Sequence, residues 1–174
     1  MRTMRLPRLL LTLTFLTIVG CGDDDDGYCR GEQCVCDERP ECRVGCPFPS
    51  CTIDCGRTDL CDAECGADCA VDCIDTQRCE SACGERCDLS CTRSDTCALS
   101  CGAACDVRCA EVSRCDVEVG PDSQVECDRL SSCDVVCTGA CTVACSSVGS
   151  CDVRCPSELV RCEQDGVLTC AESC

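Results

Sequence analysis

The chain has 174 residues, 31 of them Cys, with no His and no Trp, and its 15 basic residues, all Arg, face 32 acidic ones for a net charge of −17. Cysteine at this density belongs to oxidising compartments and disulfide-held scaffolds, which excludes an ordinary cytosolic globular domain. Without His or Lys there is no common general base for a Ser or Cys nucleophile, carboxylates are too abundant to be diagnostic, and the acidic excess argues against a nucleic-acid partner.

The first twenty residues read as a targeting segment. Arg2, Arg5 and Arg8 give a positive start, and Leu9 to Val19 form an apolar stretch too short to span a bilayer. The stretch runs into Ile18-Val19-Gly20-Cys21, which resembles the lipobox of bacterial lipoproteins, where the Cys is lipidated and becomes the mature N-terminus. The resemblance covers residues 1–21. It implies a signal peptide at 1–20, a lipid on Cys21 and a place in the cell envelope, with Gly22 fitting release to the outer membrane. Thirty cysteines then remain, an even number able to pair completely. Loss of the three leader Arg leaves twelve against 32 acids, or −20, so attachment to an anionic leaflet must rest on the lipid. Residues 21–28 hold Asp23 to Asp26, a like-charged run that stays extended as a tether.

From residue 29 the cysteines dominate. Residues 29–41 form a short Cys-rich cap, 42–162 a repeat region and 163–174 a second cap. Within the repeats Cys61, Cys79, Cys97, Cys115, Cys133 and Cys151 recur every eighteen residues, the mark of an array. Each unit holds two Cys-x-apolar-x-Cys pentads, joined by three residues and followed by five. The middle positions are mostly β-branched or aliphatic, as in Val71, Leu89, Val107 and Val143, with Ser81 the exception. Such alternation predicts strands that aim both cysteines and the middle residue at one face. Gly66, Gly84, Gly102 and Gly120 open the three-residue joints, where unusual dihedrals are expected. On a helix, steps of four would drift by about 40° each, and each glycine would cost about 1 kcal/mol. Disulfide-stapled helical or irregular repeats therefore stand as the alternative to an all-β array of about seven two-stranded coils, a narrow β-solenoid. Its architecture resembles the disulfide-braced solenoids of some insect antifreeze proteins, with a different repeat length.

One repeat indicates the connectivity. In Cys115 to Cys127 the second and third cysteines are both replaced, by Val119 and Ser123. Paired losses imply paired partners, so bridges are expected across the short joint: Cys46–Cys51, Cys65–Cys69, Cys83–Cys87, Cys101–Cys105 and Cys137–Cys141. Partners inside a pentad are excluded, because four extended residues span about 13 Å against the roughly 7 Å a disulfide allows. For the outer cysteines, closure across the five-residue joint leaves four at each end to pair locally. The expected bridges are Cys55–Cys61, Cys73–Cys79, Cys91–Cys97, Cys109–Cys115, Cys127–Cys133 and Cys145–Cys151.

The outward column Asp62, Glu80, Asp116, Asp134 and Asp152, interrupted by Ala98, stacks like charges about 4.8 Å apart, which makes these residues weak candidates for calcium. Free thiols would instead bind soft metals, and the chain resembles metallothioneins in cysteine content, but its spacing lacks their Cys-Cys and repeated Cys-x-Cys pairs. No catalytic residue and no cofactor is expected. The sequence describes a non-catalytic, lipid-anchored repeat protein of the bacterial envelope with a structural or surface-interaction role, the partner being an envelope or extracellular protein or polysaccharide. Divalent-cation binding by the acids, or metal binding by thiols, is the alternative.

Overall fold

A computed structural model describes residues 28–46 and 48–174; the leader, the lipobox with Cys21 and the Asp23–Asp26 run lie outside the described residues. All elements are strands: β1 (Tyr28–Arg30), β2 (Gln33–Asp37), β3 (Glu41–Cys46), β4 (Thr52–Gly56), β5 (Leu60–Cys65), β6 (Ala70–Ile74), β7 (Arg78–Cys83), β8 (Asp88–Thr92), β9 (Thr96–Cys101), β10 (Asp106–Ala110), β11 (Arg114–Val119), β12 (Ser123–Asp128), β13 (Ser132–Cys137), β14 (Cys141–Ser146), β15 (Ser150–Arg154), β16 (Val160–Gln164) and β17 (Val167–Ala171).

The odd strands β3 to β15 form one parallel sheet and the even strands β2 to β14 another, each strand pairing with those one coil away. Register is eighteen residues: Cys61 opposes Cys79, and Val107 opposes Val125. The chain is thus a β-solenoid of about seven turns. A period of two puts alternate residues inside, so β9 buries Cys97, Leu99 and Cys101 and turns Thr96, Ala98 and Ser100 outward. Two such narrow faces cannot enclose aromatic rings. Their core is mostly cysteine, Val, Leu, Ile and Ala, with the hydroxyls of Thr58, Thr76, Ser81, Ser94 and Ser123 also buried.

Parallel stacking begins at β2, earlier than the cap boundary read from the cysteines, because Cys36 and Cys42 are spaced like the pairs of the later five-residue joints. It ends at Arg154. Beyond that, β17 runs antiparallel onto β14 and carries β16 outside it, while β1 folds antiparallel onto β2. Each end of the even-strand sheet is therefore closed by a hairpin, which limits edge-to-edge addition there.

The joints stack as regularly as the strands. Backbone N–H groups of Arg57, Asp75, Arg93, Glu111 and Arg129 donate to carbonyls one coil on, and those of Asp68, Arg86, Ala104 and Asp122 do so at the short joint. All nine of these residues have positive φ. The unusual dihedrals expected at Gly66, Gly84, Gly102 and Gly120 fall two residues later instead, on Asp68, Arg86, Ala104 and Asp122. Glycine is needed there for closeness: a Cβ on Gly102 would lie 2.8 Å from the carbonyl oxygen of Gly84, and one on Gly120 would lie 2.6 Å from that of Gly102.

Disulfides cross the five-residue joints at Cys36–Cys42, Cys55–Cys61, Cys73–Cys79, Cys91–Cys97, Cys109–Cys115, Cys127–Cys133 and Cys145–Cys151. Others cross the short joints at Cys46–Cys51, Cys65–Cys69, Cys101–Cys105 and Cys137–Cys141. At the ends Cys29 bonds Cys34, Cys155 bonds Cys170 and Cys162 bonds Cys174. The expected Cys83–Cys87 bridge is the exception: both residues are thiols.

Candidate functional site

Because the interior is filled by its own side chains, whatever the rod recognises must meet its outer faces and joints. On the odd-strand sheet the register places Asp62, Glu80, Ala98, Asp116, Asp134 and Asp152 in one column, directly opposed from coil to coil. The neighbours of that column are not all acids. Arg114 reaches Asp116 at 2.9 Å and Asp134 at 3.8 Å, so its guanidinium occupies the bridging place between two stacked carboxylates. Arg78 lies 3.8 Å from Glu80 and Arg154 lies 3.4 Å from Asp152. Guanidinium groups of the chain itself therefore lie beside Glu80, Asp116, Asp134 and Asp152.

A second charged column runs along the five-residue joints. Glu38, Arg57, Asp75, Arg93, Glu111 and Arg129 occupy the positive-φ position of successive five-residue joints, so the sign alternates along the rod. Arg57 pairs with Glu38 at 3.1 Å, Arg93 with Asp75 at 2.8 Å and Arg129 with Glu111 at 2.6 Å. The hydrogen bond from Arg93 holds the Asp75 carboxyl below its ordinary value, and the charge of Arg57 on the coil before acts in the same direction. The signal was available in sequence as the second residue after the last cysteine of each unit. It is invisible until the eighteen-residue register turns a spacing into a contact. Asp68 and Arg86 form one equivalent pair at the short joint, with the Arg86 hydrogen bond lowering the Asp68 pKa.

The even-strand sheet presents a broad, open depression lined by Ser90, Asp106, Arg108, Gln124, Glu126 and Thr142. Arg108 lies 4.0 Å from Glu126 across it. It is a strand surface with mixed charge and small hydroxyls, suited to hydrogen bonding along the rod.

Inside, the joints carry their own columns. Thr58, Thr76 and Ser94 are buried at the five-residue joint, followed in the same position by Val112 and Leu130. The Thr76 and Ser94 hydroxyls share a hydrogen bond of 2.8 Å. At the short joint the sulfurs of Cys65, Cys69, Cys83 and Cys87 all lie within 4.8 Å of one another. Two of the four are joined in a disulfide, so as it stands the group is a bridge beside a dithiol and not a set of four thiolate ligands.

Fold, bridges and outer columns define a disulfide-braced, acidic β-solenoid. No protein-family model, no curated protein and no solved structure matches the chain.

Proposed function

We propose that this is a non-catalytic structural rod of the bacterial envelope, anchored through a lipid on Cys21, spaced from the membrane by Asp23–Asp26, and presenting its outer faces to an envelope or extracellular protein or polysaccharide. The observation that carries the reading is the division of labour in the coil: cysteines and small aliphatic residues fill the inside, while register-matched charged and hydroxyl columns cover the outside. Such a body keeps its recognition chemistry at fixed spacing, about 4.8 Å per coil, and does not depend on a large apolar core for rigidity. Short covalent loops supply the stiffness in an oxidising compartment.

The anchor is tested by expressing the full chain in a Gram-negative host and fractionating the envelope. The expected result is recovery only in detergent extracts, with acyl mass on the peptide beginning at Cys21, and release of the Cys21→Ser chain into the soluble fraction. Recovery of the unaltered chain without detergent would overturn the anchored reading.

A further inference from the structure

Cys83 and Cys87 stand out because they keep two thiols in a stack of bridged joints. Cys83 Sγ lies 2.9 Å from Cys65 Sγ, its direct partner in the register of β5 and β7, and Cys65 is already bonded to Cys69. We propose that these four sulfurs form an internal thiol–disulfide exchange site, in which the Cys83 thiolate attacks Cys65, the Cys65–Cys69 bond breaks, and a Cys65–Cys83 bridge forms between coils. Cys69 leaves as the thiolate and takes up the proton that Cys83 released. One bridge and two thiols exist before and after, so no outside oxidant or reductant is required.

Three features support the assignment. Attack needs a thiol in contact with a disulfide sulfur, and this joint meets that condition. Ser81, the one hydroxyl in the aliphatic middle column, lies two residues from Cys83 on the same inner face, is 5% exposed, and its Oγ has no hydrogen-bond partner. Burial first, and then the hydrogen bond and charge of Cys87, push the Cys83 thiol well above its ordinary value and hold it mostly protonated; the Ser81 hydroxyl acts the other way, by donating to the thiolate as it forms. The last feature is accessibility. Cys83 is partly exposed while Cys87 is buried, so the attacking residue is the one nearer solvent. The exchange changes what is stapled: a bridge closing one coil becomes a bridge holding two coils together.

The experiment is thiol trapping on full-length protein purified without reductant, incubated at pH 6, 7, 8 and 9, quenched in acid, alkylated with excess N-ethylmaleimide under denaturing conditions so that buried thiols also react, and mapped by non-reducing mass spectrometry. The expected result is full label on Cys87 and label divided between Cys83 and Cys69, the division being reached about tenfold faster per pH unit while the thiol is mostly protonated. Label confined to Cys83 and Cys87 at every pH, or no label at any of these cysteines, would overturn the proposal. In the Cys69→Ser chain a Cys65–Cys83 bridge with Cys87 free is expected; a Cys83–Cys87 bridge with Cys65 free would count against it. Ser81→Val should slow the approach to equilibrium several-fold, and an unchanged rate would remove the role given to that hydroxyl.

Discussion

Two coils lack the bridge across the three-residue joint, and they lack it differently. In the coil from Cys79 to Cys91 the sulfurs are present but unjoined; in the coil from Cys115 to Cys127 they are replaced by Val119 and Ser123. The geometry at the second position is nonetheless shared. Cys87 Sγ donates to the carbonyl of Gly66 at 3.4 Å, and Ser123 Oγ donates to that of Gly102, also at 3.4 Å, each twenty-one residues back. Ser123 further accepts the Cys105 N–H at 3.1 Å, and Val119 is fully buried where Cys83 is partly exposed. The short joint therefore closes on glycine stacking and backbone hydrogen bonds, with the disulfide as an addition. The five-residue joints are unlike it, for each of the seven between successive described coils carries a disulfide. Thr58 Oγ1 is left buried without a partner there.

The sharpest way to break this comparison is to remove all covalent links. Each small loop is worth about 2 kcal/mol in the chain-entropy model, and fourteen are closed among the described residues, against a total stability of about 5–15 kcal/mol for ordinary domains. Excess phosphine reductant should abolish the β-sheet circular dichroism at room temperature, the unbridged coil included, because its neighbours hold it in register. Retention of the spectrum after complete reduction would mean that packing alone supports the coils.

The next largest effect separates closeness from covalency. Gly120→Ala puts a methyl group 2.6 Å from the Gly102 backbone in the joint that has no disulfide to tolerate distortion, and should cost about 1–3 kcal/mol in chemical denaturation. Gly45→Ala meets nothing within 4 Å and should be close to neutral. Equal losses at both sites would show that the tight approach of successive joints is not what glycine provides.

Much of this architecture is legible in the sequence, since the period of two inside each pentad and of eighteen between pentads specify strands, coil length and inward cysteines together. What the sequence could not yield depends on neighbours one coil away. The glycines of the short joint look like dihedral specialists in a linear reading, whereas their constraint is the backbone of another coil. Asp62, Glu80, Asp116, Asp134 and Asp152 look like an uncompensated acid column until Arg78, Arg114 and Arg154 are placed beside it. The alternation from Glu38 to Arg129 has no local meaning at all before stacking. Cys83 and Cys87 obey the repeat in every respect that spacing can express, so nothing in the chain marks them as unpaired.

A smaller effect comes from transplanting one coil's solution into the other. Cys83→Val with Cys87→Ser installs the Val119 and Ser123 pair at the equivalent joint, replaces the thiol donor toward the Gly66 carbonyl with a hydroxyl and removes both thiols. Stability should stay within about 1 kcal/mol of the parent, as volume-conserving core changes usually do. Thiol titration of the denatured double variant should fall by two per chain. A large loss of stability would mean that the two joints are not equivalent, and that the sulfurs of the first one carry structural weight.

The smallest expected effects lie on the outer ladder, where the groups are exposed and solvent screens them. Arg93 sits between Asp75 on one side and Glu111 on the other, so Arg93→Glu would place three acids in succession where the signs now alternate. The melting temperature should drop slightly in low salt and recover in 1 M salt, where the Debye length falls to about 3 Å. The acid response follows from the same pairs. Hydrogen bonds from Arg93 and Arg86 depress Asp75 and Asp68, and Asp128 is lowered chiefly by the Ser146 hydroxyl and then by Arg129. A carboxyl depressed in the folded state contributes stability that is complete above its unfolded value, 3.8, and disappears as pH falls through the folded value. Melting temperature should therefore be level from neutrality down to about pH 4 and decline below it. Arg93→Glu should shrink the Asp75 part of that decline, because the carboxyl that lost its guanidinium no longer binds protons less readily in the folded rod than in the unfolded chain. An identical acid profile in the variant would show that the alternating column contributes nothing to the rod's stability, leaving recognition as the only use for its order.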